Sequence, residues 1–205
     1  FAALHAHNLK ISLPEGGRAP AGELRKVVES LPDSSQVSAV SERLIVPTQI
    51  EVSRPGEEPI VTGGRLVGSE LGPSGPPIDG VAAESGRGVR ASDSGHAVAV
   101  REASFGRFHD LRSTGSVQVA GGRSLRYVGL GRSPEYFLVT RPAGGDFGGA
   151  EVSFAVLFTS LGTAQQLSGG SRTVNDAVLT LRPGADQGAV ARELRAAREG
   201  EHGRA

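Results

Sequence analysis

Between Gln36 and Ser53 the chain strings together Val37, Val40, Ile45, Val46, Thr48, Ile50 and Val52, and no other stretch limits its folding choices as much. Branching at Cβ restricts χ1 and suits a pleated backbone, so this run predicts one long strand, or two joined near Pro47. Upstream, Leu9, Ile11 and Leu13 alternate as a strand, which Pro14, Gly16, Gly17 and Pro20 end. Leu24, Val27, Val28 and Leu31 then recur at helical spacing among Glu23, Arg25, Lys26 and Glu29, which predicts a short amphipathic helix over 21–31. The opening therefore reads strand, helix, strand.

A further strand is expected at 60–68, and Gly72 to Pro77 is the densest loop signal in the chain, where a boundary is expected. Beyond it come a strand at Ala97 to Val100, a helical turn or two from Glu102 to His109, and a hairpin of Ser116–Ala120 and Leu125–Leu130 about Gly121-Gly122. Two adjacent glycines supply the positive φ that a tight turn needs. Residues 75–145 thus read as a small β-rich unit. After the Gly-rich stretch 144–149, a buried strand is expected at Val152–Phe158 and a short helix at Leu161–Leu167, capped by Thr159 or Ser160. Ala177–Leu181 alternates as a strand, and Asp186 can cap a helix running to about Arg198 with Val190, Leu194 and Ala197 inside.

The charge pattern excludes several classes of function. Lys and Arg number 22 against 22 Asp and Glu, so no net field draws the chain to nucleic acid or an anionic membrane. Cysteine is absent, which removes disulfides, thiolate zinc sites and thiol nucleophiles. Methionine is absent too and the chain opens on Phe1, as expected of a segment of a longer protein or of a sequence missing its methionine positions. No apolar run approaches the roughly eighteen residues of a membrane helix. Any targeting segment is expected outside these residues.

The search for chemistry is mostly negative. No lysine follows Lys26, so no phosphate-cradling loop of the Gly-Lys-Ser/Thr kind exists. Gly129-Leu-Gly131 begins like a dinucleotide fingerprint, but Pro134 stands where the third glycine belongs. No serine occupies a Gly-x-Ser-x-Gly elbow. His5 and His7 could share a strand face, with Glu15 the one nearby third ligand, and read more simply as surface histidines. His96 and His109, near Asp93 and Asp110, would need a cleft to act as acid or base, and Glu57-Glu58 reads as a solvated turn. No catalytic, cofactor or metal residue is expected. Most of the seven phenylalanines and two tyrosines fall between Phe105 and Phe158. They read as core, with Tyr136 and Phe137 the candidates for partner contact.

The order of these elements resembles a known family. Gly86-Arg87 before Ala97-Val-Ala-Val-Arg-Glu-Ala103, Val128-Gly129 leading to Ser133-Pro-Glu-Tyr136, the strand and Leu-x-x-Ala-Gln helix within 154–167, and the closing strand and helix of 175–195 are similar to the extracytoplasmic core domain of MacB/FtsX-like ABC transporter permeases. Thr114-Gly115 replaces the family's usual Gly-Asp turn before the hairpin. The resemblance implies an α+β fold in which a discontinuous core, 1–72 plus 146–205, carries an inserted β-rich subdomain, 73–145. It implies a bacterial, non-catalytic domain outside the cell membrane, with Phe1 and the end of the last helix on one side. Implied partners are flanking transmembrane helices, a cytoplasmic ATP-binding subunit, a second permease copy or paralogue, and a lipid, lipoprotein or protein cargo, with no nucleic acid. The alternative is a free-standing secreted binding or adhesion module.

Overall fold

The β-branched run is one strand of 16 residues, β3 (Val37–Val52), and the other elements are arranged along it. The structure, a computed structural model, describes residues 4–53, 56–136, 154–170 and 172–202, with the side chains beyond 197 left aside. One edge of β3 pairs antiparallel first with β11 (Asp176–Leu181) and then, over Ile50 to Val52, with β7 (Gly115–Val119). Its other edge pairs with β4 (Ile60–Ser69) throughout Arg43 to Val52. Pro47 sits where β11 has ended and β7 has not begun. Asn175 bonds both the N–H and the C=O of Ile45 at 2.8 Å along this gap. Residues two apart in a strand direct their backbone groups to the same edge. The proline nitrogen therefore faces the gap, so no ladder bond is lost and the strand stays whole.

Six strands close into a ring. β4 runs parallel to β9 (Phe154–Ser160), β9 antiparallel to β6 (Val98–Glu102), β6 parallel to β8 (Arg123–Arg132), β8 antiparallel to β7, and β7 returns to β3. Side chains alternate across each strand, and the barrel interior takes Leu44, Ile50, Leu66, Ala99, Val117, Leu125, Tyr127 and Leu157. Phe105 of α2 (Ala103–Phe108) and Ala164 of α3 (Leu161–Leu167) complete that core. The opposite faces of the same strands bury Val67, Val100, Val128, Val156 and Phe158 in a second cluster. Ser160 caps α3, its hydroxyl accepting from the Thr163 N–H at 3.1 Å.

A third core lies beside the barrel. β1 (Leu9–Ser12) pairs with β11, and α1 (Glu23–Glu29) and α4 (Gln187–His202) pack Leu24, Val28, Val190 and Leu194 against Ile11, Ala177 and Leu179. Helix α1 begins after Gly22, which has no side chain to cap it. The buried Glu42 of β3 does that instead, accepting from the Gly22 and Arg25 N–H groups at 2.6 and 3.0 Å. Asp186 accepts from the Ala189 N–H at 2.9 Å at the start of α4, as its type and position predict.

The fold is α+β with a mixed sheet, as the sequence implied. Three elements were not read beforehand: the two-residue pair β2 (Ala19–Pro20) with β10 (Thr173–Val174), and β5 (Ala82–Gly86) on the edge beyond β8. Gly121 and Gly122, with φ of 83° and 70°, make the expected turn between β7 and β8. Within 73–145, β6 bonds to β9 and β7 to β3, so the barrel takes strands from both stretches of the proposed division. Phe1 and the start of the predicted 152–158 strand lie outside the described residues.

Candidate functional site: a buried ionic hub

A row of cross-strand neighbours builds the most charged interior point of the described fold. Ser12 on β1 stands opposite Asp176 on β11, which stands opposite Arg43 on β3, so the three side chains share one sheet face. Lys10, two residues before Ser12, joins them from the same face. Arg43 is 2% exposed in its side chain. Its Nε donates to Asp176 at 2.7 Å, its Nη1 to Glu135 at 2.6 Å and its Nη1 also to Asp79 at 3.2 Å. Lys10 donates to Glu135 at 2.6 Å, and the Ser12 hydroxyl to Asp176 at 2.8 Å. His7 Nδ1 lies 2.7 Å from Asp79.

Two of these carboxylates come from irregular segments beside the loop signals of the sequence. Asp79 follows the Gly72–Pro77 loop and has φ of 52°, a left-handed conformation that Asp adopts more readily than most residues with a Cβ. Glu135 belongs to Ser-Pro-Glu-Tyr, where the Tyr136 N–H closes a turn on the Ser133 carbonyl at 3.2 Å. The motif carries no chemistry but holds the exit of β8 against β1 and β3. Tyr136, put forward for partner contact, is 7% exposed; its ring meets Phe158 edge-on at 5.7 Å between centroids, with Arg65 5.8 Å from its own centroid. Phe137 lies outside the described residues. Glu135 itself was not singled out from sequence, although it stands inside the motif that carried the resemblance.

Electrostatics follow from burial and pairing. Burial pushes the Glu135 carboxyl up, but the charges and hydrogen bonds of Arg43 and Lys10 outweigh it and hold the group at about 2. Burial likewise pushes Arg43 and Lys10 down, while the carboxylates around them carry both the other way. The sign for stability is then defined. A carboxylate near 2 in the folded chain and about 4.3 in the unfolded one contributes fully above the latter and is lost as pH falls toward the former. The urea midpoint should therefore fall as pH drops through that acid window, and Glu135→Gln should flatten the decline. Equal slopes in the two proteins would refute the assignment.

A second buried arginine has the opposite surroundings. Arg101 of β6 points with Ala99 into the barrel and is 0% exposed, yet among the described residues none of its three nitrogens meets a hydrogen-bond acceptor. Its guanidinium carbon lies 4.4 Å from the Tyr127 ring centroid and 5.7 Å from that of Phe105. Aromatic faces attract a cation but offer no lone pair to its N–H groups. Burial pushes this guanidinium down to about 10.

The histidines do not assemble a reactive centre. His5 is exposed with φ of 48°, while His7 turns to Asp79. The His96 carbonyl accepts from the Thr163 hydroxyl at 2.6 Å, and the His109 ring packs on Phe105 at 4.4 Å. Asp93 serves Arg87 and the Arg90 N–H. Among the described residues no three His, Cys, Asp or Glu side chains gather as metal ligands, and no helix is long and apolar enough to cross a membrane.

No model of a protein family matches the sequence, and no curated protein does. Solved structures do match. The extracellular domain of the noncanonic ABC-type transporter YknZ from Gram-positive bacteria superposes with a TM-score of 0.59 at 12% identity, over 95% of this chain and 93% of that one. The periplasmic region of MacB from Actinobacillus actinomycetemcomitans gives 0.56 at 16% identity, over 95% and 83%. At such identities the likeness is one of fold, and it spans nearly the whole of each domain. The motif order read from the sequence and the superposed architecture thus agree that this chain has the fold of the extracytoplasmic domains of MacB- and YknZ-type ABC transporter permeases.

Proposed function

We propose that the chain is the extracytoplasmic domain of a bacterial MacB/FtsX-like permease, sited outside the cell membrane. It does no bond chemistry and couples ATP hydrolysis on a separate cytoplasmic subunit to substrate export or mechanical transmission. The observation that carries this reading is the superposition on two such domains over 95% of the chain. The hub supports it, because a lever must not deform at the joint where its parts meet. On this reading the core is 1–72 plus 146–205 with 73–145 inserted, and the shared barrel and Arg43 join the two. The partners are the flanking membrane helices, the ATP-binding subunit, a second permease copy or paralogue, and a lipid, lipoprotein or protein cargo.

Absence of cysteine makes the location testable by single additions. A cysteine at the exposed Ala83, in a full-length protein otherwise free of cysteine, should react with a membrane-impermeant maleimide in intact cells. Reaction only after lysis would overturn the location. An ATPase-inactive subunit that leaves transport or signalling intact would overturn the coupling.

A further inference from the structure

The strand path runs from β1 at one limit to β5 at the other, yet the segments leading into these two strands touch. The Asp79 N–H donates to the His5 carbonyl at 3.0 Å and the Gly80 N–H to the Leu4 carbonyl at 2.8 Å. His7 answers with its own N–H to Asp79 Oδ1 at 3.0 Å and its Nδ1 2.7 Å from Oδ2. Gly80 permits the approach, since a Cβ there would lie 3.3 Å from the Leu4 carbonyl oxygen and 3.5 Å from its side chain. His5 and Asp79 both hold left-handed backbone, which their residue types tolerate better than most, so the turn of each segment toward the other costs little.

Little else among the described residues fixes residues 4–7. All four are exposed or half-buried and none belongs to the three cores, whereas Ile11, four residues on, is 4% exposed. Segments with few buried apolar contacts open at a fraction of the free energy of global unfolding. Opening here would leave Asp79 held by Arg43 alone among the hub's side chains.

We propose that residues 4–7 are a releasable strap that, when docked, ties the approach of β1 to the approach of β5 through His7 and Asp79. Resting on the lever reading above, the strap gives a route by which displacement of the chain before β1 reaches the far edge of the sheet without first disturbing a core. Its release uncouples the two.

Amide hydrogen exchange on this chain, followed by NMR, tests the strap. His7→Ala should speed exchange of the Asp79 and Gly80 amides about tenfold or more, because a hydrogen bond to a buried carboxylate is lost. The Ala155 and Leu157 amides of β9 should not change. His7→Asn, which keeps a side-chain donor, should restore most of the protection, and Gly80→Ala should mimic the loss by crowding Leu4. Unchanged exchange at Asp79 and Gly80, or an equal rise in β9, would overturn the strap. The outcome is separable from the transporter reading, since maleimide labelling only after lysis would sink that reading and leave these rates unaffected.

Discussion

Arg43→Met is expected to destabilise the fold by about 3–5 kcal/mol, read as a lowered urea midpoint at pH 7. The reason lies less in the lost attraction than in what stays behind. Asp176, Asp79 and Glu135 converge on this one guanidinium, and Asp176 and Asp79 have side chains only 2% and 4% exposed. Without it, among the described residues, Lys10 is the remaining cation and the His7 ring a remaining hydrogen-bonding contact for three carboxylates inside the fold. Isolated buried charge is far costlier than a buried polar group, so the chain would protonate carboxylates or open the joint. Asp79→Asn with Arg43→Met should recover part of the loss, because residues of one network do not add independently. A single variant within about 0.5 kcal/mol of the parent would show that the network is solvated in solution and bears no load.

How far the sequence disclosed this joint depends on the kind of information each part required. Strand β3, helix α3 and the Asp186 cap were legible because they rest on local causes: Cβ branching, helical spacing and a side-chain oxygen before a first turn. Strand β5 was not, since Ala82, Ala83 and Glu84 are all exposed on an edge and show no alternation. Barrel closure through Ile50 to Val52 against Val117 to Val119 is a pairing of distant segments that neither segment announces. The hub is harder still. Asp176 and Arg43 are 133 residues apart, and they meet only because β11 and β3 pair in one particular register. A slip by one residue would send Asp176 to the opposite sheet face. Tyr136, read from sequence as core with partner contact as the lesser option, packs edge-on to Phe158, while its neighbour Glu135, which no local signal singled out, sits at the joint.

Arg101→Met is expected to act in the other direction, stabilising the fold by about 1–4 kcal/mol. The two arginines are alike in burial, and they differ in what surrounds the guanidinium. Arg43 has its carboxylates, whereas Arg101 has ring faces and unpaired nitrogens in an interior otherwise lined by Leu, Val, Ala and Phe side chains. Methionine keeps the unbranched stem and roughly the length, fills the space against Tyr127 and Phe105, and removes the desolvated charge. Overpacking is not a concern, because the replacement adds no volume where Gly106 already brings the α2 backbone close to the guanidinium. Urea unfolding at pH 7 measures the change, and the parent should begin to recover stability only as pH rises above about 10, where the guanidinium starts to lose its proton within the fold while the unfolded chain keeps its own. A loss of stability in Arg101→Met would mean that an acceptor reaches this side chain in solution. The barrel would then hold a second polar joint, and the contrast between its two arginines would no longer stand.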